Sequence, residues 1–253
     1  MNKSNFGVLF CLLCLWLQPV SAHAESAGWM DNDRDWTLRL TFGRFKPEID
    51  SQFSSTNTAA ELPYESFFGN DNPMMFNLGV ERFLYTGFGS WSLGMGLSSW
   101  SVEGSPKATT STSETSDTTE LCLYPLTLEL SLYFDNLVSV VPLVPFARVG
   151  FDYVIWDVLD GNGDTAQFSY TSESGTAEYE AFGATQGWHY SLGLLLLLDT
   201  LDPRTADDFE RDAGVKNTYL GLEYRDAQVD DFGSRSSFRL GGKSINVGLF
   251  IDI

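Results

Sequence analysis

The sequence predicts an all-β chain: an eight-stranded antiparallel up-and-down transmembrane β-barrel with one short periplasmic helix. Three observations lead there. Eight segments alternate apolar and polar residues at the period of two that puts successive strand side chains on opposite faces. Glycines and serines travel with the polar set, as expected where a small barrel is most crowded, its interior. The connections alternate between long and short, the pattern of bacterial barrels with long outer loops and short periplasmic turns.

The first residues are set aside before the strands are read. Lys3 precedes an apolar run from Phe6 to Leu17 and then Ala22-His23-Ala24, which reads as a secretory signal peptide over residues 1–24. That run is shorter than the roughly 20 residues a membrane helix needs. Leu13 stands before Cys14 where a lipidation motif wants a small residue. Residues 25–253 then form one domain, the barrel. Cys11 and Cys14 leave with the leader, so only Cys122 remains and no internal disulfide is available. The formal charge of −19 becomes slightly more negative once Lys3 is lost. So acidic a chain repels phosphate backbones, and nucleic acid is excluded as a partner. The longest later apolar stretch, Leu192 to Leu198, is interrupted by Gly193 and ends at Asp199, so any membrane crossing must be made by strands. An aromatic content of 14% and 23 glycines suit strands on a curved wall.

In the first strand Trp36, Leu38, Leu40 and Phe42 share one face, while Thr37, Arg39, Thr41 and Gly43 share the other. The second sets Phe76, Leu78 and Val80 against Asn77, Gly79 and Glu81; a tight turn at Tyr85-Thr86-Gly87 leads to the third, Trp91, Leu93, Met95 and Leu97 against Ser92, Gly94, Gly96 and Ser98. The fourth runs from about Glu120 to Phe134, with Leu126 to Leu132 outward at alternate positions and Thr127, Glu129, Ser131 and Tyr133 inward; Pro125 predicts a bulge. The fifth carries Ala147, Val149, Phe151, Tyr153 and Ile155 opposite Arg148, Gly150, Asp152 and Trp156. The sixth carries Trp188, Tyr190, Leu192, Leu194 and Leu196 opposite His189, Ser191 and Gly193. In the seventh Thr218, Leu220, Leu222 and Tyr224 oppose Tyr219, Gly221, Glu223 and Arg225. The last sets Ile245, Val247, Leu249, Ile251 and Ile253 against Ser244, Asn246, Gly248, Phe250 and Asp252.

A soluble lipocalin-type barrel has a similar strand count but points its apolar residues inward. The small residues decide between the two, because they accompany the charged set. Residues 46–73, 103–118, 157–184 and 226–236 are the long loops; 84–87 and 135–142 are short turns. Asp199 to Lys216 lies on the short-turn side yet holds a helix, with Asp202 as N-cap, Pro203 at its first position and Gly214 as its stop, which is expected to cover the barrel end.

The segments Pro63-Tyr64-Glu65 with Phe68-Gly69, Val141-Pro142-Leu143-Val144-Pro145-Phe146, Thr185-Gln186-Gly187-Trp188, Leu198-Asp199-Thr200-Leu201-Asp202-Pro203, Thr218-Tyr219-Leu220, Asp231-Phe232-Gly233 and Val247-Gly248-Leu249-Phe250 resemble an uncharacterised family of outer-membrane β-barrel proteins from myxobacteria and their relatives. The likeness spans nearly the whole chain after the leader and contains no catalytic signature. More broadly the chain is similar to the small eight-stranded barrels typified by OmpA and OmpX. That likeness implies residence in the cell outer membrane, contact with its lipid and lipopolysaccharide, and insertion by the barrel assembly machinery. Such barrels usually end on an aromatic residue; here the last residue is Ile253.

The alternation aims Arg39, Glu81, Glu129, Arg148, Asp152, His189, Glu223, Arg225 and Asp252 into one narrow lumen. An unpaired charge there costs roughly several kcal/mol, so these groups are expected to pair, with Arg148 and Asp152 in the same network. Paired, they make a structural plug; a gated path for ions or small solutes is the alternative. His189 with Ser191 raises a Ser/His/acid lipid hydrolase as a second alternative, but parity aims both inside rather than at the lipid face, and no catalytic residue or cofactor is assigned. Asp160, Asn162 and Asp164 are spaced like the start of a calcium loop, but Thr165 replaces the required Gly and Thr171 the bidentate Glu. The acidic loop is therefore expected to be solvated, and the Ser/Thr-rich Ala108–Thr119 to be a loop of no fixed conformation.

Overall fold

Strand β1 (Trp36–Arg44) closes the sheet by pairing on both edges, with β2 (Met74–Gly87) from Trp36↔Arg82 to Arg44↔Met74 and with β10 (Gly242–Asp252) from Thr37↔Asp252 to Arg44↔Ile245. Between them run β3 (Gly89–Gly104), β4 (Thr119–Tyr133), β5 (Leu143–Leu159), β8 (Phe182–Leu197) and β9 (Asn217–Val229), every neighbour antiparallel, so the eight strands form a closed barrel in the order β1-β10-β9-β8-β5-β4-β3-β2. Closure removes the unpaired strand edges that an open sheet exposes. The computed structural model describes residues 34–53, 62–87, 89–104, 118–139, 141–172, 175–234 and 237–253. The leader at 1–24 and most of Ala108–Thr119 lie outside the described residues.

The sign of the alternation is the one expected. Along β1 the burial pattern is strictly exposed-buried, with Trp36, Leu38, Leu40 and Phe42 outside and Thr37, Arg39 and Thr41 inside. Leu40 is 53% exposed, whereas Glu81, Asp152 and His189 are 0% exposed. The barrel is thus apolar outside and charged inside, the reverse of a soluble barrel.

Several elements differ from the sequence expectation. Residues 157–184 are not one long loop: β5 and β8 pair up to Asp157↔Phe182, and a separate hairpin of β6 (Gln167–Ser172) and β7 (Gly175–Glu180) stands beyond them. Strands of 14 to 17 residues in β2 to β5 exceed the roughly 9–11 needed to cross hydrocarbon, so the wall continues past the apolar band at the loop end. The β1–β2 connection carries a 3-10 turn (Ile49–Gln52) and a short helix α1 (Pro63–Phe68), joined where Asp50 accepts hydrogen bonds from the backbone N–H of Tyr64 and Glu65. Pro125 makes no bulge. Its register with β5 is unbroken at Pro125↔Val154; toward β3 the pairing lapses between Leu97↔Leu126 and Trp100↔Leu123, because Pro has no N–H to give the ladder. The irregularity is instead in β2, between Phe83 and Tyr85.

Helix α2 (Pro203–Ala213) starts and stops where its caps predict: Asp202 accepts from the Thr205 N–H, and Gly214 takes the left-handed conformation that ends the helix. It does not cover the barrel end. None of its residues is buried, and Phe209 is exposed, as is Leu201 just before it. The barrel end is closed from within by Phe83, Tyr133, Val138, Val144, Phe146, Leu195, Leu197, Tyr219 and Phe250, with Val138 supplied by a 3-10 turn at Asp135–Ser139. Capping signals locate a helix along the chain but say nothing of what it packs on.

The hydrogen bonds from the Thr205 hydroxyl and backbone to Asp202 hold the Asp202 carboxyl below its ordinary range. A lowered folded value means that the cap stabilises α2 above the ordinary aspartate range and that this support is lost as the pH falls through the folded value. Backbone carbon chemical shifts of residues 203–213 are expected to move toward coil values on acidification below about pH 4, the ordinary aspartate range, and to do so already at neutral pH in Asp202→Ala. Shifts that stay helical in Asp202→Ala contradict the capping role.

Candidate functional site

The lumen is a stack of layers, and each strand contributes to it through its inward parity. At the loop end Phe45, Met75, Trp100, Leu121, Leu123, Val154, Ala227, Val229 and Leu240 form an apolar cluster, joined by Ile49 and Tyr64 from the β1–β2 connection. The Trp100 indole N–H is spent on the Phe45 carbonyl at 3.0 Å, so the ring closes the barrel mouth without an unsatisfied donor. Below it lie the charges.

Arg148 on β5 is fully buried and donates to Glu81 at 2.6 Å, Glu223 at 2.8 Å, the Ser131 hydroxyl at 2.8 Å and the Tyr133 hydroxyl at 3.2 Å. Arg39 on β1 bridges Glu81 at 2.8 Å and Glu129 at 2.6 Å. Glu81 therefore sits between two guanidinium groups and also accepts from Ser92 at 2.6 Å and Tyr133 at 2.8 Å. Buried carboxylates and guanidiniums are tolerable only when paired and hydrogen-bonded in this way. Glycines make the room. A Cβ on Gly79 would stand 2.7 Å from the Arg39 guanidinium, and one on Gly94 2.6 Å from the Glu81 side chain.

A second group adjoins this one toward the loop end. Asp152 receives the His189 ring at 2.7 Å through Nδ1 and is also paired with Arg225. The other ring nitrogen of His189 lies 3.5 Å from Glu129, which connects the two groups. Arg148 and Asp152 thus belong to one connected network, through Glu129 and His189, without touching each other.

Asp252 stands apart from these. At the end nearer the chain termini it accepts from Thr37 at 2.5 Å, from Arg34 at 2.9 Å and from the Tyr219 hydroxyl at 3.1 Å, and Arg34 also pairs with Asp135 at 2.8 Å. The aromatic layer of Phe83, Tyr133, Phe146 and Phe250 separates the two regions, with ring centroids 5.6–5.8 Å apart. The expectation of one network holding all nine charged residues is corrected here: eight lie in the connected central groups and Asp252 in a terminal one.

Arg34 and Asp135 escape sequence reasoning for different reasons. Asp135 continues the inward parity of Thr127, Glu129, Ser131 and Tyr133 by one more step, so a signal was present. Arg34 precedes the strand, and nothing in the alternation points it inward.

Among the described residues the inward side chains of the central layers are buried. Apolar cluster, ion-pair network, aromatic layer and terminal ion pairs succeed one another along the axis. His189 and Ser191 do share an inward face, yet both are 0% exposed, and among the described residues no hydrogen bond joins them. Asp160 accepts the backbone N–H groups of Asn162 and Asp164 into its own carboxylate, a closed surface turn, and among the described residues no group of acidic, His or Cys side chains is arranged to hold a metal ion.

No family model matches the sequence, and no curated protein matches it. Among solved structures the chain is similar to Neisserial surface protein A (TM-score 0.45, 9% identity, covering 86% of this chain and 97% of that one), to the N-terminal β-barrel domain of Pseudomonas aeruginosa OprF (0.39, 7%, 87% and 98%), and to Ail, the attachment invasion locus protein of Yersinia pestis, solved with the heparin analogue sucrose octasulfate (0.40, 10%, 87% and 97%).

Proposed function

We propose that this chain is an integral outer-membrane barrel with a structural or surface-interaction role, whose lumen is closed and whose acidic loops face outward. The observation that carries the reading is the outer wall. Leu, Val, Phe and Trp side chains occupy the exposed face of all eight barrel strands while Arg39, Glu81, Glu129, Arg148, Asp152 and Glu223 turn inward, and the outward charges Arg44, Arg82, Asp226 and Lys243 stand toward the strand ends. Monomeric soluble proteins rarely expose apolar patches beyond about 300–600 Å², and a wall apolar all round the barrel far exceeds that. Hydrocarbon is the solvent that suits such a wall. In this reading residues 1–24 are a leader removed on export and residues 25–253 are the barrel. Lipopolysaccharide and outer-membrane lipid surround it, the barrel assembly machinery inserts it, and its relatives are the myxobacterial barrel proteins that it resembles. Activity as an enzyme has no support in the lumen, where His189 and Ser191 are enclosed.

The test is electrical. Purified protein reconstituted in planar bilayers is expected to leave the conductance at the level of the bare membrane, because side chains fill the lumen at successive levels. Large, steady single-channel steps from the wild type would replace the closed barrel with the channel reading.

A further inference from the structure

We propose that the β9–β10 connection carries a lipid anchor, Phe232, whose ring lies against the outside of the barrel and enters the outer-leaflet hydrocarbon. The proposal rests on the membrane-barrel reading and adds a loop residue to the lipid-contacting surface. Asp231 donates its N–H to the Gln186 carbonyl at 2.9 Å and accepts the Gln186 N–H into its carboxylate at 2.8 Å, which pins the turn to the edge of β8 just beyond Gly187↔Val229, the last β8–β9 pair. The turn is closed by Gly233 N–H on the Asp230 carboxylate at 2.9 Å.

Two consecutive residues, Asp231 (φ 51°) and Phe232 (φ 57°), adopt the left-handed conformation, and these are the only non-glycine positive φ angles among the described residues. Aspartate tolerates that region; a bulky aromatic does not, and glycine would serve the turn better. The phenyl side chain at 232 reaches the outer wall. It is 65% exposed, and its ring stacks on Phe151 of the outer wall with centroids 6.3 Å apart and planes 22° from parallel. Phe151 is paired in register with Trp188, whose ring is followed on the same face by Tyr190 and Tyr224. Phe232 thus extends a continuous aromatic patch across β5, β8 and β9. The same connection sends Phe238 and Leu240 into the loop-end cluster inside the barrel, so it fastens to the interior and to the wall at once.

The test uses the full chain, exported, purified from membranes and reconstituted in phospholipid vesicles. With Cys122→Ser as background, a nitroxide is placed at Phe232→Cys, at Leu40→Cys on the mid-wall and at Asp208→Cys on α2. Collision with oxygen is compared with collision with a water-soluble nickel complex. Positions 232 and 40 are expected to favour oxygen and position 208 nickel. In parallel, Phe232→Trp keeps an aromatic ring, and its added emission is expected to be quenched by brominated lipid; should the two probes disagree, the tryptophan decides. Water-type behaviour at 232 with lipid-type behaviour at 40 overturns the anchor and leaves the barrel standing. Water-type behaviour at 40 overturns both.

Discussion

Replacing Arg148 by methionine is expected to lower the unfolding free energy by about 3–5 kcal/mol, the usual cost of removing one partner from a buried charge pair. The size follows from what is left behind. Arg148 is the direct partner of Glu81 and Glu223, lies 3.5 Å from Glu129 through Nε, and donates to Ser131 and Tyr133. Without it, Glu81 and Glu129 share the Arg39 guanidinium, and Glu223 loses its ion pair. Methionine keeps the aliphatic stem but not the guanidinium, so the loss combines stranded charge with the space that the guanidinium filled. Adding Glu81→Gln to Arg148→Met is expected to recover part of that loss, since it removes one of the stranded carboxylates; the remainder reports on Glu223 and Glu129. Urea unfolding in lipid vesicles, followed by tryptophan emission, measures all three proteins. Additive losses in the double variant would mean that Arg148 and Glu81 do not act as a pair.

Leu40→Arg is expected to cost about 2–4 kcal/mol in a bilayer, the range for a cation near the midplane of a barrel wall. Leu40 lies outside the barrel between its register partners Leu78 and Leu249, both outward and apolar, and about midway along β1. The same change at Leu201, which is 74% exposed beside α2 and away from the wall, is expected to be neutral. The pair of substitutions separates lipid contact from mere exposure, because in water both positions would tolerate arginine equally. Equal, small effects at 40 and 201 would contradict hydrocarbon as the solvent of the wall.

The strands were legible because a period of two survives any detail of packing: Trp36 to Phe42 and Ile245 to Ile253 declare their faces in the sequence alone. The same rule placed eight members of the central ion-pair groups, since inward parity and charge coincide at Arg39, Glu81 and Arg148. It failed where inward positions turn apolar. Leu121, Cys122 and Leu123 are buried in succession, and Trp100 and Val154 fill the loop end of the lumen, so the polar-inside pattern lapses where the wall leaves the apolar band. The β6–β7 hairpin was missed for a related reason: it pairs with itself outside the barrel, and no barrel face imposes a strong alternation on it. Arg34, before the first strand, had no pattern to betray it. Its partners Asp252 and Asp135 come from the far end of the chain and from a turn, a long-range meeting that only the closed fold creates.

A barrel that spans the outer membrane with its charges inside is tested by locating the full chain in Gram-negative cells and challenging its attachment. Membranes are separated on a density gradient, washed with alkaline carbonate, and run on gels with and without boiling. The protein is expected to stay in the outer-membrane fraction through the wash and to change mobility only after boiling. Release into the soluble periplasmic fraction, with one mobility regardless of heating, would contradict it.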